Sequence, residues 1–275
     1  MKIAVIGGAG VRTVIFINGL LKRYKKLHID EVVLYDIQEE KQKIIEKLCK
    51  HVVERNHEEL KVWAVSDPVE AITGADYIVT TLRVGGDHSR VVDETIALDL
   101  GVIGQETTGV GGFSMAVRTI PVLIEYCELI KKYAPDAWIF NFTNPSGLVT
   151  QALRSAGYDK IIGICDAPSS TKFRMAHDLG VEEDNLYVEF FGLNHLSWIR
   201  SVRKKARKSY RNCWQTMHFY RAYRNSPCLI RNCFVPSDSY QTNICIIIIT
   251  EKKHWKTSKN QVQPEERRSR TSTFT

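Results

Sequence analysis

Four groups of residues in this sequence have the types and spacing that chemistry requires. Gly7-Gly8-Ala9-Gly10 lies between a short apolar run, Ile3-Ala4-Val5-Ile6, and a helical apolar pattern through Val14, Phe16, Ile17, Leu20 and Leu21. Glycines there let the backbone turn tightly and approach a pyrophosphate, which would sit on the unpaired N–H groups opening the helix. Glu31-Val32-Val33-Leu34-Tyr35 then reads as a second strand, tipped by Asp36. A carboxylate at that place accepts hydrogen bonds from an adenosine ribose and repels a 2′-phosphate, so the pattern predicts NAD. Thr13 stands where the usual spacing has a third glycine, so the loop is a variant.

The second group is Gly101–Gly112, Gly-Val-Ile-Gly-Gln-Glu-Thr-Thr-Gly-Val-Gly-Gly. Five glycines in twelve residues predict a loop rather than a helix or strand. Gln105 and Glu106 sit amid backbone able to come close to a polar ligand. Third is Asn144, ahead of Pro145, which reads as a helix cap or as a substrate ligand, with Pro145 in the first turn of the next helix. Fourth are Cys165 and His195, each following a strand-like run. They are either two structural residues or an open metal site completed by water or substrate oxygens, and two ligands do not make a structural zinc site.

The elements that must position these groups alternate. Strands are predicted at Val62–Val65, Asp76–Thr81, Ala137–Asn141 and Lys160–Ile164, with helices at Ile37–Asn56, Pro68–Ile72 and Ser114–Tyr133 between them. A further helical stretch carries Arg90, Asp93 and Glu94. The Ile37–Asn56 helix is given an apolar face of Ile44, Ile45, Leu48, Val52 and Val53. Such alternation predicts an α/β fold, a Rossmann-like doubly wound parallel sheet, whose ligands lie at the carboxyl ends of the strands. The expected division is a dinucleotide-binding domain over 1–165, the truncated start of a second, α+β domain over 166–202, and a basic tail over 203–275.

The 275 residues are 44% hydrophobic and 25% charged, ordinary for a globular chain. No apolar run approaches the ~20 residues of a membrane helix, Met1 leads straight into a strand, and the seven cysteines lack regular spacing. Those features predict a cytoplasmic protein with reduced thiols and no membrane partner. The net charge of +7 conceals a break, because residues 201–275 hold 16 Lys and Arg against 4 Asp and Glu. The first 200 residues are acidic by five charges.

Taken together, these motifs resemble the NAD-dependent glycoside hydrolases of family 4, typified by 6-phospho-glucosidases. The likeness is carried by Ile6–Gly10 with Asp36, Arg83-Val84-Gly85-Gly86, Gly101–Gly112, Asn141–Gly147, Ile164-Cys165-Asp166-Ala167-Pro168 and Gly192-Leu193-Asn194-His195-Leu196-Ser197. It covers residues 1–200. It implies hydrolysis of a 6-phospho-glucoside by oxidation at C3, deprotonation at C2 and elimination, a departure from two-carboxylate glycosidases. The implied cofactors are NAD and a divalent metal, manganese, which polarises the C2 and C3 oxygens. By the resemblance, Gly7, Gly8, Ala9, Gly10 and Asp36 bind the cofactor, and Cys165 and His195 bind the metal. Asn144 meets sugar hydroxyls, Asn194 stands beside the metal, and Arg83, Arg90 and Glu106 contact sugar or phosphate. The implied substrate is a phosphorylated disaccharide or aryl glucoside, the phosphorylated class being indicated by Cys165-Asp166-Ala167-Pro168; the family cleaves α or β bonds with similar parts, β is the preferred reading here, and full-length relatives are homo-oligomers. Gly10-Val11-Arg12 departs from the serine-rich sequence of many relatives.

The resemblance stops near Arg203, where the charge balance reverses and the apolar periodicity fades. The tail is read as translation in a shifted frame. Asn243-Ile244-Cys245 and Ile246–Ile249, if encoded by T-ending codons, give a tyrosine-rich segment when read from the third base. That segment would match the family's Pro-x-x-Tyr-Leu-x-Tyr-Tyr-Tyr, which supplies its tyrosine base. Such a chain is expected to bind NAD poorly or fold incompletely, and to lack glycosidase activity. Two other readings stand beside this one. One is a silent dinucleotide-binding module whose basic tail docks on nucleic acid, against which no nucleic-acid motif is found; the other is a dehydrogenase of the lactate/malate type.

Overall fold

Ile3-Ala4-Val5-Ile6 is buried on both faces, and that burial sets the architecture around it. β1 (Lys2–Ile6) pairs in parallel with β2 (Glu31–Tyr35) on one side and with β4 (Tyr77–Thr80) on the other. With β3 (Lys61–Val65), β5 (Trp138–Asn141) and β6 (Ile161–Gly163) they form a six-stranded parallel sheet in the order β3-β2-β1-β4-β5-β6. This is a doubly wound, Rossmann-like sheet, and its strand order reverses between β1 and β4. A ligand crevice belongs at the carboxyl ends of those two strands.

The structure, a computed structural model, describes residues 1–205 and the strand Trp214–Thr216. It divides into two units, Met1–Cys165 and Asp166–Thr275. In the first unit the pleat sends alternate strand residues to two separate cores. Ile3, Val5, Val32 and Leu34 pack with Ile17, Ile45, Cys49 and Val53 from α1 (Val11–Leu20) and α2 (Glu39–Arg55). Ala4, Ile6, Val33 and Tyr35 pack on the other face. Their partners include Ile72 of α3 (Pro68–Ile72), Leu123 and Cys127 of α5 (Gly109–Tyr133), and Val149 and Leu153 of α6 (Ser146–Ser155). α4 (Gly86–Asp99) runs between β4 and α5.

Two sequence expectations change here. The buried line of α2 is Gln42, Ile45, Cys49 and Val53, whereas Ile44 and Leu48 are exposed, so the predicted apolar face is rotated. α5 opens at Gly109, inside the segment read as loop. The reason is steric. A Cβ on Gly112 would stand 2.5 Å from the carbonyl carbon of Thr107, and one on Gly111 would strike the carbonyl oxygen of Gln105. Glycine's low helix propensity, about 1 kcal/mol against alanine, is outweighed by this close backbone approach.

Burial raises the Cys127 thiol to about 12 and the Cys49 thiol to about 11, with the charges of Glu128 and Glu46 adding to it. Both side chains are inaccessible, while Cys165 is half-buried. Alkylation of the native chain with iodoacetamide should therefore leave Cys49 and Cys127 unmodified until it unfolds, because thiolate and access are both missing. Modification of either at the rate of the unfolded chain would contradict this packing.

In the second unit, α7 (Ala167–Asp178) precedes β7 (Leu186–Leu193) and β8 (Leu196–Lys205), which form an antiparallel hairpin, and β9 (Trp214–Thr216) pairs with the end of β8. Met175, Ala176, Leu186, Ile199 and Val202 make its core, an α+β arrangement. Most of the predicted basic tail, including the Asn243–Ile249 run, lies outside the described residues. Among the described residues no helix is long and apolar enough to cross a membrane.

Candidate active site

The glycine turn is built between β1 and α1. Gly7 takes φ +93, and its N–H and that of Gly8 both reach the Tyr35 carbonyl at 2.9 Å. A Cβ on Gly7 would lie 2.6 Å from the Thr81 carbonyl oxygen, so only glycine lets the turn settle between β2 and β4. Gly10 is the N-cap of α1, which begins without a side-chain cap, and there the nearest atom to a would-be Cβ is 3.8 Å away. α1 thus starts without a side-chain cap, with room beside Gly10.

Asp36 ends β2, and its carboxylate accepts the Ala9 N–H at 3.0 Å and the Gln38 N–H at 2.9 Å. The turn and the acid are therefore one bonded unit. Each carboxylate oxygen keeps a lone pair for further donors such as ribose hydroxyls. On these observations the site fits a dinucleotide: an uncapped helix start for the pyrophosphate and a carboxylate at the second strand tip.

Beyond β4 the chain turns through Arg83 and Gly85 into α4. Glu106 accepts from Arg83 Nη1 at 2.6 Å and lies 3.2 Å from Arg90 Nε, which also bonds Glu94 at 2.8 Å. Burial opposes the charge on Arg90, yet the Glu94 hydrogen bond and the charges of Glu106, Glu94 and Asp87 hold its pKa above the ordinary value. The three predicted substrate residues Arg83, Arg90 and Glu106 are thus brought together as one ion cluster. Arg118 of α5 steadies the same loop, donating to the Val84 carbonyl at 3.0 Å and pairing with Asp93 at 2.7 Å. Gln105 folds its own loop, its side-chain oxygen accepting from the Thr107 and Thr108 N–H groups at 2.6 and 2.7 Å.

Asn144 lies at the carboxyl end of β5, half-buried, joined to Pro145 by a cis peptide. The helix-cap alternative is not realised, because the N-cap of α6 is Pro145 and no side chain caps it. The residue that shapes this turn is Asn141, fully buried. Its Oδ1 accepts from Thr80 Oγ1 at 2.9 Å and from the Thr143 N–H at 3.1 Å, and its Nδ2 donates to Thr150 Oγ1 at 3.0 Å. Leu82 N–H, donating to Thr143 Oγ1 at 3.1 Å, ties the β4 and β5 loops together.

Cys165 closes the first unit, following Ile164, whose N–H reaches the Asn141 carbonyl at 2.9 Å. In the second unit Asn194 and His195 are the two-residue turn of the β7–β8 hairpin, since Leu193 pairs with Leu196. His195 takes φ 60 there. Gly192 takes φ +112, and a Cβ on it would lie 2.6 Å from the Leu196 carbonyl oxygen, so glycine is what permits this tight turn. Phe191 stacks on Trp198 across the hairpin at 5.7 Å. Among the described residues no three His, Cys, Asp or Glu side chains cluster in a way that could hold a metal ion.

A doubly wound sheet with an uncapped glycine turn and a strand-tip acid defines a dinucleotide-binding protein. This chain belongs to the family 4 glycosyl hydrolases, whose family description matches residues 2–181. It is 42% identical over 204 residues to the 6-phospho-β-glucosidase BglT of Thermotoga maritima, covering 74% of this chain and 48% of that one. It is 36% identical to 6-phospho-α-glucosidase 1 of Lacticaseibacillus paracasei, over 75% of this chain and 47% of the relative. The solved Thermotoga maritima 6-phospho-β-glucosidase with manganese, NAD+ and glucose-6-phosphate superposes with a TM-score of 0.69 at 41% identity, over 74% and 49% of the two chains. The chain spans about half the length of the curated relatives it matches. Family membership sets aside the lactate/malate-type reading, which shares the sheet alone.

Proposed function

We propose that this chain carries the cofactor half, and the start of the catalytic half, of an NAD- and divalent-metal-dependent enzyme hydrolysing 6-phospho-β-glucosides. The observation that carries the proposal is the bonded unit of glycine turn and Asp36 within a family 4 sequence. When bound, NAD supplies a hydride acceptor for C3, and manganese supplies a Lewis acid for the C2 and C3 oxygens. Gly7, Gly8, Ala9 and Gly10 hold the pyrophosphate, and Asp36 accepts from the ribose. Asn144 meets the sugar hydroxyls and Asn194 stands on the substrate side beside the metal, while Arg83, Arg90 and Glu106 form a charged cluster toward sugar or phosphate. Cys165 and His195 are the protein donors to the metal, a soft pair that leaves the harder oxygen ligands to the substrate. Cys165-Asp166-Ala167-Pro168 supports a phosphorylated glucoside, and β linkage is preferred because a relative named a 6-phospho-β-glucosidase is 42% identical, against 36% for one named a 6-phospho-α-glucosidase.

Proton removal at C2 requires a base, and by family resemblance this is a tyrosine of a segment that the sequence lacks in its present frame. The shifted-frame reading of residues after about Arg203 is supported by the charge reversal there and by a match to the Thermotoga relative that spans 204 of the 275 residues. The 275-residue chain should accordingly leave 4-nitrophenyl 6-phospho-β-glucoside uncleaved. Replacing the tail by the second half of the Thermotoga relative should give cleavage that needs both NAD and manganese. In that fusion, Cys165→Ser and His195→Ala should each weaken manganese binding and leave NAD binding intact. Turnover by the 275-residue chain itself would overturn the inactivity, and unchanged manganese affinity in both variants would remove the metal site.

A further inference from the structure

Gln42 is a polar residue 4% exposed in the first turn of α2, and its side-chain amide makes three hydrogen bonds, using both donors and one of the two acceptor positions. Nε2 donates to the Leu34 carbonyl at 3.1 Å and to the Val65 carbonyl at 2.8 Å, bridging the ends of β2 and β3. Oε1 accepts the Asp36 N–H at 2.5 Å. Asp36 in turn holds Ala9 of the glycine turn through its carboxylate. One buried amide therefore ties two strand ends to the acid, and the acid to the turn.

We infer that Gln42 is a positioning residue for dinucleotide recognition: it fixes Asp36, and so sets the discrimination between a ribose 2′-hydroxyl and a 2′-phosphate. The inference rests on the NAD reading of the site. Only an amide serves, because two strand carbonyls need donors while the Asp36 N–H needs an acceptor. A carboxylate lacks the donors, and a thioether of similar size makes none of these three bonds in a dry place. Freed of that bond, Asp36 would rest on its contacts with Ala9 and Gln38 alone, and both its ribose bonds and its repulsion of phosphate depend on where it stands.

The test is calorimetric titration of the 275-residue chain with NAD and with NADP, as wild type, Gln42→Met and Ile45→Ala. Ile45 is equally buried on the same helix but touches the site nowhere in this argument, so its variant reports loss of packing alone. Gln42→Met should weaken NAD binding about tenfold and lower the NADP-to-NAD ratio of dissociation constants several-fold, the scale of one lost buried hydrogen bond. Ile45→Ala should leave that ratio unchanged. Amide exchange gives a readout without cofactor: in Gln42→Met the Asp36 and Ala9 amides should exchange faster while Val33 stays protected. A ratio unchanged in Gln42→Met, or equally changed in Ile45→Ala, overturns the inference, and so does unaltered exchange at Asp36. Absence of NAD preference in the wild-type chain would instead overturn the NAD reading, which makes the two failures distinguishable.

Discussion

Gly7→Ala should lower the thermal midpoint of the chain by roughly 10 °C and abolish measurable NAD binding. The added Cβ would lie 2.6 Å from the Thr81 oxygen, 2.7 Å from its carbon and 2.8 Å from Leu82 N. All three are backbone atoms at the end of β4, so no side chain can rotate away. Holding alanine at φ +93 adds strain of about 1–2 kcal/mol, and forced repacking about 1–3 kcal/mol more. Gly74 provides the control: it too has a positive φ, +69, but nothing lies within 4 Å of its would-be Cβ. Gly74→Ala should therefore show the strain alone, a midpoint lower by a few degrees, about 1 kcal/mol. Far-UV circular dichroism during heating separates the two, and equal shifts would contradict the proposed packing of the turn.

The second large effect is at Asn141. Asn141→Leu keeps the branched shape but strands Thr80 Oγ1, the Thr143 N–H and Thr150 Oγ1 in the interior. A buried group left without its partner costs about 1–3 kcal/mol, so roughly 3–5 kcal/mol should be lost. That is a large share of the ~5–15 kcal/mol that holds a typical domain folded. Urea unfolding of the variant measures it directly. A loss within ~1 kcal/mol of zero would mean that the β5 turn keeps its shape without the amide.

Those two residues also show what the sequence did and did not disclose. The strands of the sheet were legible because β1, β2 and β4 are short apolar runs ended by glycine or polar residues, and parallel strands are buried on both faces. Asp36 was legible because it sits at a strand tip after a glycine turn. Gln42 and Asn141 were not, since a lone polar residue in a helix or strand carries no periodic signal of burial. Only the tertiary approach of the Leu34 and Val65 carbonyls makes Gln42 an interior residue. The rotated face of α2 has the same origin, because Gln42 occupies a place on the buried line that an apolar count gives to Leu48. The helical start of α5 was hidden by glycine composition, whose usual meaning reverses where a loop backbone presses on a helix. The pairing of Arg83 and Arg90 around Glu106 joins residues 16 to 23 positions apart across a turn, which spacing alone does not reveal.

We propose that the first unit recognises NAD through Asp36 and the turn it holds. Titration of the 275-residue chain with NAD and NADP in parallel is the direct test, since the proposed cofactor residues Gly7, Gly8, Ala9, Gly10 and Asp36 all lie in the first unit. On the shifted-frame reading of the tail, the chain should bind both more loosely than the Thermotoga relative does, yet still favour NAD. NAD should bind at least about tenfold more tightly, the scale of a carboxylate opposing one added phosphate, and Asp36→Asn should narrow the gap. Equal or tighter binding of NADP by the wild-type chain would contradict it.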